Sequence, residues 1–238
     1  MKTSVKAGSL LIAGIFALSG CGSSEGAQGS EPAESGSASP TPTLAVGQEQ
    51  YSADELESAL AAVNEAEGLN GEIQNDAELR PQFEDASYLE TGVDPEQCTA
   101  VLSSTFDRKI QDGNLAFMGF NATDMLAVIS YDDKSVLEKQ FGDSENTLAD
   151  CGEFQMTNGD ARITAVAESA TASTEAPVTQ AYRTTVRRES GDGVVVHVVG
   201  ISGTTQVSAT LIDPTDEAAS VAQSEEVINA VLAELEKD

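Results

Sequence analysis

The chain has no tryptophan and a single histidine in 238 residues, and only 12 basic side chains stand against 40 acidic ones. Each shortage removes a class of function. With so few Lys and Arg there is no concentrated basic surface to bind phosphates, which argues against a nucleic-acid partner. The net charge of −28 also repels anionic lipid headgroups, so the folded part should stand off a membrane surface. No tryptophan, with only 7 Phe and 4 Tyr, leaves little of the flat aromatic contact area that accompanies sugar cleavage by carboxylate pairs. Any triad or zinc site would have to be built around His197. A phosphate-binding glycine loop, a dinucleotide fingerprint and the Asp-x-Asp-x-Asp-Gly calcium pattern are all missing from the sequence.

What is present starts with three zones: Lys2 and Lys6, the apolar run Leu10 to Leu18, and the small residues Ser19 and Gly20 ahead of Cys21. This is the pattern of a signal peptide over residues 1–20. Its apolar core covers ~14 Å as a helix, and a membrane span needs ~30 Å. Leu18-Ser19-Gly20-Cys21 resembles the bacterial lipobox. That resemblance implies a diacylglyceryl group on the Cys21 sulfur, cleavage after Gly20, and an anchor of palmitate-type chains in the cell membrane. The alternative is an ordinary secreted protein cut nearby. Each buried methylene contributes ~0.8 kcal/mol, so two or three chains would hold the protein on the extracytoplasmic face permanently. Losing the leader removes two lysines and no acids, which takes the charge from −28 to about −30.

Three cysteines in an exported chain leave an odd thiol unless one has another use, and lipidation of Cys21 supplies it. Cys98 and Cys151 remain, and in an oxidising compartment a disulfide is their default, with a redox or metal role as the alternative. Residues 21–48 are mostly Ser, Gly, Ala, Pro, Thr and Glu. Such a segment cannot offset the entropy of ordering and reads as a disordered tether with a root-mean-square span of ~30 Å.

Residues 49–238 read as one α+β domain, with helices packed on a largely antiparallel sheet. Ser52 and Glu55 make a capping box for a helix with Leu56, Leu60 and Val63 on one face, ending at Gly68. Residues 70–89 show no clear period. Asp94 and Pro95 read as the N-cap and first residue of a second helix, with Cys98, Val101 and Leu102 inward. Leu115 to Phe120 and Met125 to Tyr131 form a hairpin. Lys134 to Leu148 returns to helical spacing and leads to Cys151. Asn158-Gly159 lies between two further strands as a type I′ turn signal. Val178 to Arg188, Val194 to Ile201 and Gln206 to Ile212 are separated by glycine turns and read as a three-stranded meander. Val194 to Val199 is apolar in both phases. That places it centrally, with helices on one face and either helices, a loop or a ligand on the other. Asp213-Pro214-Thr215 caps a last helix whose stripe is Val221, Ile228, Val231, Leu232 and Leu235.

His197 lies within that central strand, where it reads as a ring hydrogen-bonded in or beside the core. The acid pairs Asp132 and Asp133, Asp143 and Glu145, and Asp213 and Asp216 read as solvated caps and turns, with weak cation binding as the alternative. No catalytic residue, resident metal or cofactor is expected.

The run Val93-Asp94-Pro95-Glu96-Gln97-Cys98, two strands, a helix into Asp150-Cys151, a meander through Val194 to Val199 and a long last helix make up a recognisable order. From about residue 50 to 236 this resembles the extracytoplasmic sensor-type domain of actinobacterial Ser/Thr kinases of the PknH kind, which also occurs alone in lipoproteins. The resemblance implies an α+β fold with a cleft that binds a ligand outside the cell. The leading expectation is a non-enzymatic, membrane-anchored domain whose partner is a small ligand or an envelope protein. A lipid carrier with an apolar cavity is the alternative, and a cell-wall enzyme comes third.

Overall fold

The protein, seen here as a computed structural model, is described over residues 46–84, 92–101, 110, 112–121, 123–141, 148–158, 161–187 and 191–237. Among these, nine strands are present: β1 (Ile73–Asn75), β2 (Gly92–Asp94), β3 (Asn114–Phe120), β4 (Asp124–Ser130), β5 (Glu153–Asn158), β6 (Ala161–Ser169), β7 (Val178–Arg187), β8 (Gly193–Ser202) and β9 (Thr205–Ile212). They form one sheet in the order β1-β3-β4-β9-β8-β7-β6-β5-β2, and each neighbouring pair is antiparallel. The expected three-stranded meander is thus the end of a five-stranded one. Consecutive strands β5 to β9 pair by local turns, and the β3–β4 hairpin closes on the free side of β9. The three-residue strands β1 and β2 finish the two edges, a length that leaves little unpaired backbone exposed.

Helices α1 (Ala53–Ala66) and α4 (Glu217–Leu235) cover one face. Leu56, Leu60 and Val63 of α1 and Val221, Ile228, Val231, Leu232 and Leu235 of α4 are buried, as their spacing predicts. They pack on Met118, Leu126, Val128, Val196, Val198, Val207, Ala209 and Leu211 of the sheet. Fully burying a side chain of this kind contributes about 1.5–3 kcal/mol. The capping box is present as read: the Glu55 N–H donates to Ser52 Oγ (3.3 Å) and the Ser52 N–H to the Glu55 carboxylate (2.6 Å).

The opposite face carries two separate apolar clusters. At the β3–β4 side, Leu115, Phe117 and Ile129 meet Leu79 of α2 (Asp76–Glu84) and Leu137 of α3 (Ser135–Phe141). At the β5–β6 side, Cys98, Val101 and Cys151 pack on Phe154, Ala165 and Tyr182. Cys98 and Cys151 are bonded, with Cα atoms 5.3 Å apart, and both are fully buried.

Three local expectations need correction. Asp94 does not cap an α-helix. It is the last residue of β2, paired with Gln155, and a short 3-10 helix Glu96–Val101 follows. Cys98 and Val101 still face inward, and Leu102 lies outside the described residues. The cap of α4 is Asp216, whose carboxylate accepts the Ala219 N–H (3.1 Å). Asp213 instead accepts the Val194 N–H (2.6 Å) from the start of β8. Asn158 belongs to β5 and pairs with Ala161, so the connection is 159–160 rather than Asn158-Gly159. The reading of Lys134 to Leu148 as one helix lies partly outside the described residues, which show α3 only to Phe141.

The packed chain takes in Val46, which is fully buried. From there to Tyr51 the backbone is strapped to distant residues. Ser202 Oγ donates to the Val46 carbonyl (2.7 Å), the Thr204 N–H to Gly47 (2.8 Å) and the Thr204 hydroxyl to Glu49 (2.9 Å). Tyr51 accepts from Asn114 at its carbonyl (2.7 Å) and donates its hydroxyl to Leu235 (2.9 Å). Gly47 has φ +79°, and a Cβ there would sit 1.8 Å from the Ser202 carbonyl oxygen. Gly68 also has positive φ (+62°) but open space around it. Gly47→Ala should therefore lower stability by about 2 kcal/mol, and Gly68→Ala by about 1 kcal/mol, the conformational cost alone. Urea midpoints of the two variants check this; equal losses would mean that the strap yields freely.

Candidate functional site

Between the two apolar clusters the second face of the sheet turns polar. On β9 the residues Gln206, Ser208 and Thr210 alternate with Val207, Ala209 and Leu211, whose side chains meet the helices. Such alternation ordinarily marks a wet face. Here Gln206 and Ser208 are 1% exposed and Thr210 8%. The register carries the polar character across the sheet: Thr210 lies opposite His197 on β8, and His197 opposite Tyr182 on β7. Thr184 and Tyr182 on β7 are buried too, while Gln180 is half-buried.

Most of these groups are hydrogen-bonded. His197 Nδ1 is 3.2 Å from the Thr210 hydroxyl, Tyr182 donates to Gln180 Oε1 (2.6 Å), and Thr184 donates to the Val101 carbonyl (3.4 Å). The His197 pKa is lowered from 6.5 to about 4, because burial disfavours the charged ring; a hydrogen bond with the Ala209 backbone opposes this only in part. The ring is therefore neutral at neutral pH and sits in the core as its sequence context predicts. Its partners among the described residues are a hydroxyl and a backbone group, an arrangement without the carboxylate that orients a catalytic imidazole.

Gln206 differs from its neighbours. Both Nε2 and Oε1 are buried with no hydrogen-bond partner among the described residues. It lies between Ile129 of β4 and Ile201 of β8. Leaving a polar group unpaired in such a place costs about 1–3 kcal/mol. Sequence reasoning passed over Gln206, Ser208 and Thr210, because only the packed face reveals that the alternation points inward on both sides.

The acid pairs that fall among the described residues sit at caps and turns. Asp133 accepts from the Ser135 N–H (2.8 Å) and hydroxyl (2.7 Å) at the start of α3, and these bonds hold its carboxyl below the usual range. Asp132 is exposed beside it. Asp143 and Glu145 lie outside the described residues, as does Cys21. Among the described residues no group of three His, Cys, Asp or Glu side chains is placed to hold a metal. A hollow of about 520 Å³ opens where α4 begins, lined by residues that include Ser169, Thr171, Glu217 and Glu225. Its carboxylates are already engaged: Arg183 donates to Glu217 (3.1 Å) and the Ser173 N–H to Glu225 (2.6 Å).

The class these features define is an α+β domain whose described residues form a nine-stranded antiparallel sheet, with two long helices on one face and two short helices and a disulfide-bounded, partly polar interior on the other. That is the fold of the extracellular domain of PknH from Mycobacterium tuberculosis. The similarity covers 81% of this chain and 100% of that one, at TM-score 0.51 and 12% identity. An uncharacterised protein from Mycobacterium smegmatis is also similar, over 76% of this chain and 96% of its own, at TM-score 0.43 and 12% identity. The expected resemblance to a PknH-type sensor domain thus holds at the level of fold. No protein-family description and no curated protein sequence matches the chain. Among the described residues no helix is long and apolar enough to cross a membrane.

Proposed function

We propose that the protein is a non-enzymatic, lipid-anchored domain on the extracytoplasmic face of the cell membrane that binds a small ligand or an envelope component. Residues 1–20 are its signal peptide, the acylated Cys21 is its anchor, and a tether running from it carries the folded domain. The observation that carries the ligand-binding part is the buried polar patch of Gln206, Ser208, Thr210 and His197 on the central strands. A core built only for stability gains nothing from polar groups at these positions, and folding with them costs desolvation. The shared fold with an extracellular kinase domain supports the same reading.

Two measurements test it. Mass analysis of the protein from its native membrane should find Cys21 as an acylated first residue; a mature chain without fatty acid would remove the anchor. A thermal-shift screen of the full chain against cell-wall fragments and lipids should find a compound that raises the melting temperature. Co-purified lipid seen by native mass spectrometry would favour a lipid carrier, and no response to any compound would leave a structural module.

A further inference from the structure

We propose that the protein forms a two-fold homodimer through the open part of its sheet, with Arg162 of each copy set against Glu168 of the other. The ligand-binding reading is not needed for this, because the polar patch lies on the opposite face of the sheet.

Helices α1 and α4 rest on β3, β4, β9 and β8. The same face continues past them over β7, β6 and β5. Arg183 of β7 lies opposite Val196, whose side chain meets the helices, and opposite Glu168 of β6 on its other side. Side chains on a strand alternate, so Arg162, Thr164, Val166 and Glu168 all line this face of β6. Arg187 stands beside Thr164 and Glu153 beside Val166. Arg162, Arg187, Glu153 and Glu168 are exposed, and Thr164 and Val166 are half-buried, so water reaches this face along its length.

The charges are arranged by end. Arg162 and Arg187 mark one end and Glu153 and Glu168 the other, with Asp94 of β2 at the edge beside Gln155. At the acidic end Arg183 is shared between Glu217 (3.1 Å) and Glu168 (3.7 Å), which leaves one negative charge in excess there. Arg187 comes within 3.9 Å of Glu153, but both are more than half exposed, and such a pair holds its members weakly.

This pattern is its own complement. Arg162 and Glu168 are six residues apart on β6, roughly 20 Å at about 3.4 Å per residue. A two-fold axis in the contact plane, running across the strands between Thr164 and Val166, sets each Arg162 over the partner subunit's Glu168. It also sets each Thr164 over the partner subunit's Val166. An axis along the strands would stack Arg162 on Arg162, and like charge opposes it. A contact that repeats itself under two-fold rotation requires this kind of self-matching surface. Charge also selects a second copy over other occupants. At a net charge of −28 two copies repel, and α1 and α4 expose acids without a single Lys or Arg. Arg162, Arg183 and Arg187, three of the chain's 12 basic residues, collect on the open sheet, so copies can meet there with their charges matched. Physiological salt damps repulsion between the more distant acids. A cationic partner would be drawn to the helices instead, and an anionic one would meet Glu153 and Glu168. Three strands about 4.8 Å apart offer roughly 300 Å² in projection, well below the ~800 Å² per partner of a standard interface, so the dimer is weak and reversible.

The test is sedimentation equilibrium of the full chain, purified in detergent, over a rising concentration series. Wild type should pass from one copy to two. Arg162→Glu alone and Glu168→Arg alone should each weaken the association roughly tenfold or more, because each sets like charges together twice. An equimolar mixture of the two variants should recover the dimer, since Glu at 162 then faces Arg at 168 and the reverse. Both substitutions are at exposed positions, and unchanged melting temperatures check that the fold is kept. A wild type that stays at one copy at every concentration overturns the proposal. So do single variants that associate as wild type does, or a mixture that stays dissociated.

Discussion

Replacing Cys98 and Cys151 together by alanine should lower the melting temperature by roughly 8–16 °C. The bridge joins residues 53 apart in sequence, and closing a loop of that length removes unfolded-state entropy worth about 4 kcal/mol by the chain-entropy estimate. For a domain of this size each kcal/mol moves the midpoint by roughly 2–4 °C. The bond also holds the short 3-10 helix against β5 and β6 through the cluster of Val101, Phe154, Ala165 and Tyr182. Scanning calorimetry of wild type and double variant measures the drop, and reducing agent should reproduce it in the wild type. A loss of under about 1 kcal/mol would mean that this cluster holds the loop closed without the bond.

Acid should destabilise the fold through His197 before most carboxylates titrate. In the unfolded chain the ring takes up a proton near pH 6.5; in the folded protein it resists until about pH 4. Its contribution is therefore fully present above pH 6.5 and declines as pH falls. The loss is complete near pH 4, where it reaches roughly 3 kcal/mol at 1.36 kcal/mol per pH unit. The side chain is 3% exposed, so solvent screening takes little from this figure. Glu55 and Asp133, whose pKa values are lowered by their hydrogen bonds to Ser52 and Ser135, also lose stability in acid. They do so in wild type and variant alike. Urea unfolding at pH 7.5 and pH 5.0 should show about 2 kcal/mol more acid loss in wild type than in His197→Gln. Parallel curves would show that the ring is accessible to water or already charged.

Much of the architecture was legible because its signals are local. The Ser52 and Glu55 box, the glycine turns flanking Val194 to Ile201 and the stripe from Val221 to Leu235 each fall within a window of a few turns or one strand. Misread parts depended on distant partners. Strands β1 and β2 have three residues each and exist because β3 and β5 offer them backbone, which no short window reveals. Asp213 looked like a cap because its carboxylate is free to choose in sequence; in the fold the Val194 amide claims it and Asp216 takes the helix. The candidate site was the least visible. Gln206, Ser208 and Thr210 spell an ordinary amphipathic strand, and only the burial of both faces makes them unusual.

The strap at Val46 to Tyr51 fixes where labels can report. Because Tyr51 reaches the Leu235 carbonyl and Gly47 meets the turn after β8, both ends of the folded chain leave from one end of the sheet. A fluorophore on Lys237 is thus a neighbour of one placed at Gln48. One at Asp192, across the ten residues of β8, stands roughly 30 Å away at about 3.3 Å per residue, which makes the pair a fixed ruler within the domain.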